Sequence, residues 1–202
     1  PRWRGAAPIN HAMIAGDAET GVSVIGLAQR MDAGLVYATR ATPIDPRETA
    51  GELHDRLAAM GPDAVAEVLA ARARGEADAL GRPQDEAAAT RAPKLSKADG
   101  RLDLSRPAVE LRRQVHGLTP WPGCAIELGG VVLKLRRVAD EPATPEAPVA
   151  PPGTVLKDGT IATGAGRLRP LEVQPAGGRA MSWEDFRRGR TLPAGAVATA
   201  AG

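Results

Sequence analysis

The alternation of apolar and polar positions at the start of the chain predicts a short helix followed by two strands. Pro8 suits the first turn of a helix over about 7–15. Nearly continuous apolar, β-branched runs at 22–27 and 35–42 are typical of strands covered on both faces. Two such short strands need neighbours in a larger sheet. This pattern therefore favours a fragment of a larger α/β domain.

Two helices are predicted next. Thr49 and Glu52 form a capping box, because hydroxyl and carboxylate can each satisfy a free backbone N–H. Gly61 and Pro62 predict the end of this helix and the start of another, which runs to about Arg74. The inward-facing residues are expected to be Leu53, Leu57, Met60, Val65, Val68 and Leu69.

The chain then changes character. Residues 75–104 are polar and lack a sustained period, which indicates a linker between domains. Ser105 can cap a helix that ends near Val115. Two alternating runs, 125–128 and 131–138, are joined by a Gly-Gly pair and predict a β-hairpin.

The last third of the chain predicts further short strands. The proline-rich run 139–152 is expected to be an irregular, mobile loop. Strands are expected at 154–157, 160–163 and 167–173, with a type I′ turn at Asp158-Gly159 and a final short helix opened by Ser182. One helix with about five short strands fits a small OB-like β-barrel over 105–193. The Ala/Gly/Thr-rich tail, 194–202, is expected to be disordered.

Composition narrows the class of protein. The 202 residues are 43% apolar and 25% charged, which is ordinary for a globular chain. No run of eighteen apolar residues is present, so no membrane span is expected. The single cysteine, Cys124, excludes a disulfide framework and fits a cytoplasmic protein. The chain starts at Pro1 without an initiator Met, as an incomplete sequence would.

Charge is unevenly distributed. Residues 1–93 carry ten Arg and no Lys against thirteen acidic residues, a net charge of −3, whereas residues 94–202 carry sixteen basic against eleven acidic residues, a net charge of +5. A basic half can meet a polyanion, and a solvated surface from an Arg-rich proteome explains the same numbers equally well.

Few residues are candidates for chemistry. His11, His54 and His116 lack partners at metal-ligand spacing, so no metal site is expected, and Cys124 is interpreted as a small buried side chain. The suggestive motif is Met31-Asp32-Ala33-Gly34, an acid on a tight loop between two strands, where ligands often bind. A turn-capping role for Asp32 remains the simpler alternative on this motif alone.

Several segments together resemble methionyl-tRNA formyltransferases. They are Pro1-Arg2-Trp3-Arg4-Gly5-Ala6-Ala7-Pro8-Ile9, Gly16-Asp17-Ala18-Glu19-Thr20-Gly21-Val22, Met31-Asp32-Ala33-Gly34, Lys94-Leu95-Ser96-Lys97, Pro120-Trp121-Pro122-Gly123 and the run from Leu171 to Met181. Six segments occur in the family's order and spacing, and they span nearly the whole chain.

This resemblance implies a fold and a reaction. The fold is a Rossmann-like formyltransferase domain, of which 1–74 would be the C-terminal portion, then a linker and an OB-like domain. The reaction transfers a formyl group from 10-formyltetrahydrofolate, the co-substrate, to the amino group of methionyl initiator tRNA in the cytoplasm. The family's catalytic Asn and His would lie seven and five residues before Pro1, so this chain alone is expected to be inactive.

The resemblance also assigns residues. Asp32 corresponds to the catalytic carboxylate, and we expect its apolar strand neighbours to raise its pKa. The folate loop corresponds to Gln29, Arg30, Met31, Asp32 and Gly34. The protein is expected to be a monomer whose basic half binds tRNA. The candidate phosphate contacts are Lys94, Lys97, Arg101, Arg112, Arg113, Lys134, Arg136 and Arg137. Because Arg136 and Arg137 are adjacent on a strand, one at most should point to a given face. Trp121 and Trp183 are expected to be structural.

Departures from the family pattern keep alternatives open. Ala28 replaces a frequent Asp, and Asp32-Ala33-Gly34 replaces the common Asp-Thr-Gly, which affects the expected folate contacts. Glycinamide ribonucleotide formyltransferases usually have a His at the position of Ile25 and lack the C-terminal barrel. Sugar-nucleotide formyltransferases are closer rivals, and a non-catalytic RNA-binding module is a third possibility.

Overall fold

A long helix and a two-stranded antiparallel sheet form the centre of the first half of the chain. The computed structural model describes residues 2–143, 150–190 and 195–201. They divide into two compact units, Pro1–Leu95 and Ser96–Gly202. The elements of the first unit are β1 (Arg4–Gly5), α1 (Pro8–Ala15), β2 (Glu19–Ile25), β3 (Val36–Pro43), α2 (Ala50–Ala73), α3 (Ala77–Leu80), a 3-10 turn (Glu86–Ala88) and β4 (Arg91–Ala92).

The two long strands of this unit are covered on one face only. β2 pairs antiparallel with β3, from Glu19 opposite Pro43 to Ile25 opposite Val36. Exposed and half-buried positions alternate along β2, and Val22 packs against a small core that includes Leu53. The prediction of strands covered on both faces is therefore wrong, because β-branched composition does not reveal whether a second layer exists.

One continuous helix replaces the two that Gly61 and Pro62 predict. α2 contains 24 residues and includes Pro62 in its interior. The capping box is confirmed, since the Thr49 backbone N–H donates to Glu52 over 2.8 Å and the Thr49 hydroxyl accepts from the Glu52 N–H. Pro62 removes one helical hydrogen bond, but the exposed ring meets solvent and the bonds on either side persist.

The unbroken helix changes which residues face inward. A constant 3.6-residue period carries the face of Leu53 and Leu57 on to Ala64 and Ala71, and all four are buried. Val65 and Leu69, which a second helix would have turned inward, are 44% and 59% exposed.

The polar segment after α2 is ordered in short elements. β4 pairs in parallel with β1, placing Arg91 beside Arg4 and Ala92 beside Gly5. Gly5 has φ +134°, and a Cβ there would lie 2.5 Å from the Ala92 carbonyl oxygen, so the pairing requires glycine. Part of the polar segment thus belongs to the first unit.

The second unit is a mainly antiparallel sheet with one helix of ten residues. Its elements are a 3-10 turn (Lys97–Gly100), α4 (Ala108–Gly117), β5 (Cys124–Leu128), β6 (Val131–Glu141), β7 (Ile161–Ala162), β8 (Arg167–Pro175), β9 (Met181–Ser182), α5 (Trp183–Arg188) and β10 (Thr199–Ala200). The strand order is β10-β5-β6-β8-β7, and β9 pairs with β8. Leu111 of α4 and Leu135 of β6 are fully buried.

The hairpin is confirmed. β5 and β6 pair from Cys124 opposite Leu135 to Leu128 opposite Val131. Gly129 and Gly130 both have positive φ, +57° and +76°, as a type I′ turn requires.

Other local predictions differ from the structure. Ser105 does not cap α4, because its hydroxyl is bonded to Asp103 and Pro107 occupies the N-cap position. The turn at Asp158-Gly159 is not type I′, since only Gly159 has positive φ. Within 154–157, only Thr154 and Val155 form isolated bridges, with Val197 and Ile161, in place of a continuous strand. The Gly159 N–H donates to the Leu156 carbonyl oxygen and forms a turn there, so the chain does not continue as a strand.

Two segments expected to be irregular contain strand residues. β6 extends through Glu141 into the proline-rich run, whose residues 144–149 lie outside the described residues. In the tail, Thr199 and Ala200 pair with Glu127 and Ile126 of β5. The free edge of β5 provides backbone partners for a tail that has no sequence pattern of its own.

Candidate functional site

A tight loop between β2 and β3 carries the candidate carboxylate. The Gly26 N–H donates to the Leu35 carbonyl oxygen over 2.9 Å and closes the loop. A Cβ at Gly34 would lie 1.8 Å from the Gly26 oxygen, so only glycine allows this close approach. The close approach of Gly26 and Gly34 therefore closes the base of the loop.

Asp32 lies on this loop with its side chain exposed. Its backbone has φ +56°, the left-handed region that non-glycine residues rarely adopt. One carboxylate oxygen, Oδ2, accepts a hydrogen bond of 3.0 Å from the Gly5 backbone N–H. The expectation that apolar strand residues enclose Asp32 is wrong, because the residue is exposed on the loop outside β2 and β3.

A cleft of about 610 Å³ lies beside the loop. Its walls come from β1, from the loop, and from the chain between the 3-10 turn and Pro93. Four charged side chains line it: Arg4, Arg30, Glu86 and Arg91. Because three of the four are arginines, the charged lining of the cleft is net positive.

Glu86 joins two of these arginines. Its carboxylate pairs with Arg4 at 3.0 Å and with Arg30 at 2.7 Å. Hydrogen bonds from Arg4 and then Arg30 hold the pKa of Glu86 below its ordinary value. Glu86 is therefore a carboxylate at neutral pH, and it ties the loop to β1.

The folate-loop residues are divided by this geometry. Arg30 and Met31 line the cleft. Asp32 adjoins it through its bond to Gly5, and Gln29 is exposed. Gly34 is buried at the base of the loop.

Sequence reasoning missed part of the cleft. Arg4, Glu86 and Arg91 line it, and Gln84 supports the loop from behind. The polar, aperiodic segment that contains Gln84 and Glu86 resembles a linker, so no periodic signal identifies them. The positive φ of Asp32 and the parallel pairing of β1 with β4 become visible only in the folded structure.

Arg2 and Trp3, the N-terminal arm before β1, bind side chains of the first unit. Asp17 accepts hydrogen bonds from the Trp3 indole at 2.7 Å and from Arg2. The His11 ring stacks on Trp3 with 5.6 Å between centroids, and its Nε2 lies 3.1 Å from the Pro93 oxygen. His11 therefore has a structural role that fixes the arm.

The candidate phosphate contacts fall into two groups. Lys94 of the first unit, and Lys97 and Arg101 of the second, are exposed. The remaining candidates are half-buried: Arg112, Arg113, Lys134, Arg136 and Arg137. Arg112 pairs with Asp140, and Lys134 donates to the Pro120 oxygen over 2.8 Å. Some of these cations thus stabilise the unit itself.

A bulge in β6 changes the faces of two arginines. The register with β8 shifts between Leu135 and Arg137 and again before Val138. Leu135 and Val138 are both buried, so two residues, Arg136 and Arg137, lie between consecutive inward positions. The expectation of one arginine per face is wrong for this reason. Arg136 also pairs with Glu172 at 2.9 Å.

Other reactive side chains have structural surroundings. Cys124 is fully buried, and desolvation raises the pKa of its thiol to about 12. His116 is buried, and its Nε2 accepts the Val138 N–H at 3.1 Å. No cluster of three or more potential metal-ligating His, Cys, Asp or Glu side chains occurs among residues 2–143, 150–190 and 195–201.

The two tryptophans of the second unit differ. Trp183 is buried and its indole donates to the Gly159 oxygen over 2.8 Å, which confirms a structural role. Trp121 is 53% exposed, which does not fit the structural role expected of it. In the part of the chain that the structure describes, no helix is long and apolar enough to cross a bilayer.

Comparison with known proteins places both units in one family. The family model described as "Formyl transferase" matches residues 1–69, and the model "Formyl transferase, C-terminal domain" matches residues 94–191. The methionyl-tRNA formyltransferase of Gluconobacter oxydans is 43% identical over 196 residues, which are 96% of this chain and 62% of that protein. The chain spans about three fifths of the length of the curated relatives it matches.

Solved structures show the same fold at low sequence identity. A methionyl-tRNA formyltransferase from Clostridium thermocellum aligns with a TM-score of 0.56 and 19% identity, over 84% of this chain and 65% of that one. An N-formyltransferase from Helicobacter canadensis, in complex with folinic acid and dTDP-3-aminofucose, aligns with a TM-score of 0.67 and 11% identity, over 84% and 62% of the chains. The chain thus has an α/β formyltransferase fold.

Proposed function

This chain belongs to the formyl transferase family, and from that premise we propose that it serves the transfer of a formyl group from 10-formyltetrahydrofolate to the amino group of methionyl initiator tRNA. The observation that carries the proposal is the 43% identity with a methionyl-tRNA formyltransferase over 96% of this chain. Fold alone does not choose the acceptor, since a protein bound to an amino-sugar nucleotide shares it.

We propose Asp32 as the carboxylate of this reaction. The methionyl amine attacks the formyl carbon, an oxyanion develops, and N10 of the folate leaves after gaining a proton. The Gly5 N–H holds Oδ2 of Asp32, and Oδ1 makes no hydrogen bond within the described part of the chain. That oxygen is available to take the amine proton and return it to N10, together with the family's upstream Asn and His.

We propose the cleft beside Asp32 as the folate site. Arg91, with Arg4 and Arg30 whose charges Glu86 balances in part, gives the cleft a net positive lining that suits the carboxylates of a folate tail. Met31, which is 75% exposed, offers a polarisable side chain to an aromatic ring system. The loop residues Gln29, Asp32 and Gly34 would shape the adjoining end.

The second unit is proposed as the tRNA-binding part, with its sheet forming an OB-like barrel. The exposed Lys97 and Arg101 are its best candidates for phosphate contact, because neither side chain pairs with an acid within the described part of the chain. Arg112 and Arg136 would serve mainly through the local field, since acids already pair with them. We further propose that residues 1–74 are the C-terminal portion of a Rossmann-like catalytic domain. Residues 75–104 would connect it to the second unit, although β4 of this segment pairs with β1. The whole protein would be a monomer of the cytoplasm.

The test is a formylation assay with purified components. The chain is joined to the N-terminal segment of the Gluconobacter oxydans relative, through the Asn-x-His motif that the resemblance places before Pro1. Methionyl initiator tRNA and an amino-sugar nucleotide are offered separately with 10-formyltetrahydrofolate. Formyl transfer to tRNA alone is expected, and transfer to the sugar alone would refute the acceptor.

A matched pair of substitutions tests the site. Asp32→Ala should lower kcat by about 10²–10⁴-fold. Asp55→Ala is the control, because Asp55 is an exposed aspartate on α2, paired with the neighbouring His54 and remote from the loop in sequence. Wild-type turnover in Asp32→Ala would refute the catalytic assignment.

A further inference from the structure

Gln84 makes three hydrogen bonds that connect the candidate catalytic loop to β1. Its side-chain amide Nε2 donates to the backbone carbonyl oxygen of Asp32 over 2.8 Å and to that of Gly34 over 2.7 Å. Its Oε1 accepts from Arg4 over 2.9 Å. The two backbone oxygens flank Ala33, so one amide group holds the tip of the loop.

The chemistry of this position requires a neutral amide. A glutamine side chain offers two N–H donors and one acceptor oxygen, and all three interactions are made here. A carboxylate of the same shape keeps the bond to Arg4 but presents oxygens to two carbonyls. Such an acid would repel the loop that the amide attracts.

The loop needs external support because its backbone is strained. Asp32 has φ +56°, a conformation that costs a non-glycine residue energy and persists when neighbouring groups enforce it. Gln84 holds its carbonyl, and the Gly5 N–H holds its carboxylate. The main chain and the side chain of Asp32 are therefore held by two segments that are distant in sequence, the chain at Gln84 and β1.

A second connection follows two residues later. Glu86 pairs with Arg4 of β1 and with Arg30 of the loop. Gln84 and Glu86 lie outside both matched family regions, 1–69 and 94–191. The chain between those regions thus contributes directly to the shape of the candidate site.

We propose that Gln84 is a positioning residue that sets the orientation of Asp32 for formyl transfer, with Glu86 bracing the same loop. This inference rests on the proposed function for its catalytic consequence. The mechanical part, a loop held by Gln84, stands on the hydrogen bonds alone.

Hydrogen exchange on the 202-residue chain tests the mechanical part. In Gln84→Glu, the hydrogen-bonded amides of Gly5, Gly26 and Ala33 should exchange about 10- to 100-fold faster, because the loop loses the two bonds from Gln84. Gln84→Met removes the same donors without adding charge and should act in the same direction. Unchanged protection of α2 shows that the unit remains folded.

Gln174→Glu is the matched control. Gln174 also donates its amide to a backbone oxygen, that of Gly178 at 2.9 Å, but it lies in the second unit. This variant should leave exchange in the loop unchanged. Equal loop exchange in Gln84→Glu and the parent chain would overturn the proposal.

Kinetics of the joined enzyme test the catalytic part. Gln84→Glu and Gln84→Met should lower kcat at least tenfold and leave KM for tRNA within about twofold, since Gln84 acts through Asp32. A loosened loop with unchanged kcat would overturn the positioning role. If the parent enzyme formylates no tRNA, the proposed function fails, whereas the exchange result still decides whether Gln84 holds the loop.

Discussion

Two leucines on the same helix provide a sharp test of how the first unit is packed. Leu53 is fully buried in a small core with Met13, Ala50 and Leu57, whereas Leu69 is 59% exposed near the other end of α2. Both are helix-interior leucines. Leucine and alanine have similar helix propensities, so replacement by alanine isolates the effect of burial.

The expected magnitudes follow from burial. Leu53→Ala loses the transfer free energy of the removed methyl groups and leaves a cavity, a cost of about 2–5 kcal/mol. The cost lies towards the upper part of that range if the surrounding helix and sheet cannot collapse. Leu69→Ala should change the free energy of unfolding by less than about 0.5 kcal/mol.

The measurement is urea-induced unfolding followed by circular dichroism at 222 nm, where α2 dominates the signal of the first unit. The two units are fitted as separate transitions if the curve shows two steps. Equal destabilisation by the two substitutions would refute the continuous helix, because it would place Leu69 inward, as a helix restarted at Pro62 predicts.

Two further predictions concern ionisable groups. Cys124, with a pKa raised to about 12 against an ordinary 9.0, should resist iodoacetamide at pH 8 in the folded chain and react in 8 M urea; equal rates would contradict its burial. Glu86 has a lowered pKa, so its contribution to loop protection is complete above its ordinary value of 4.5 and is lost as pH falls through the lowered value. Glu86→Gln should remove that acid-dependent step in exchange of loop 26–35, and an identical pH profile in variant and parent would count against the bridge.

Much of the local structure was accessible from the pattern of residues. The structure confirms the predicted capping box at Thr49, the Gly-Gly hairpin and the helix that Ser182 opens. These features depend on interactions within a few residues. Local hydrogen bonds and backbone preferences decide them.

Errors arose where a local signal competed with packing. Gly61-Pro62 is a strong terminator in isolation, yet α2 continues because its buried face, from Leu53 to Ala71, packs along its whole length. A lost hydrogen bond is a smaller cost than losing that burial. The tail, likewise, gains order from the free edge of β5.

The site divides in the same way. Asp32 was selected from its motif and its family resemblance, and Arg30 and Met31 accompany it on one short loop. Gln84 and Glu86 carry no periodic or motif signal. Their role depends on partners fifty or more residues away in sequence, which the fold brings within 2.7–3.0 Å of their side chains.

The sequence by itself determined the short-range elements, the family and the loop that bears the candidate carboxylate, since each is written in neighbouring residues. Tertiary structure alone decided that Asp32 is exposed, that a cleft with three arginines lies beside it, and that Gln84 holds its backbone. The physical reason is that these properties come from groups distant in sequence. Their approach is set by the burial of α2 against β2 and by the pairing of β1 with β4.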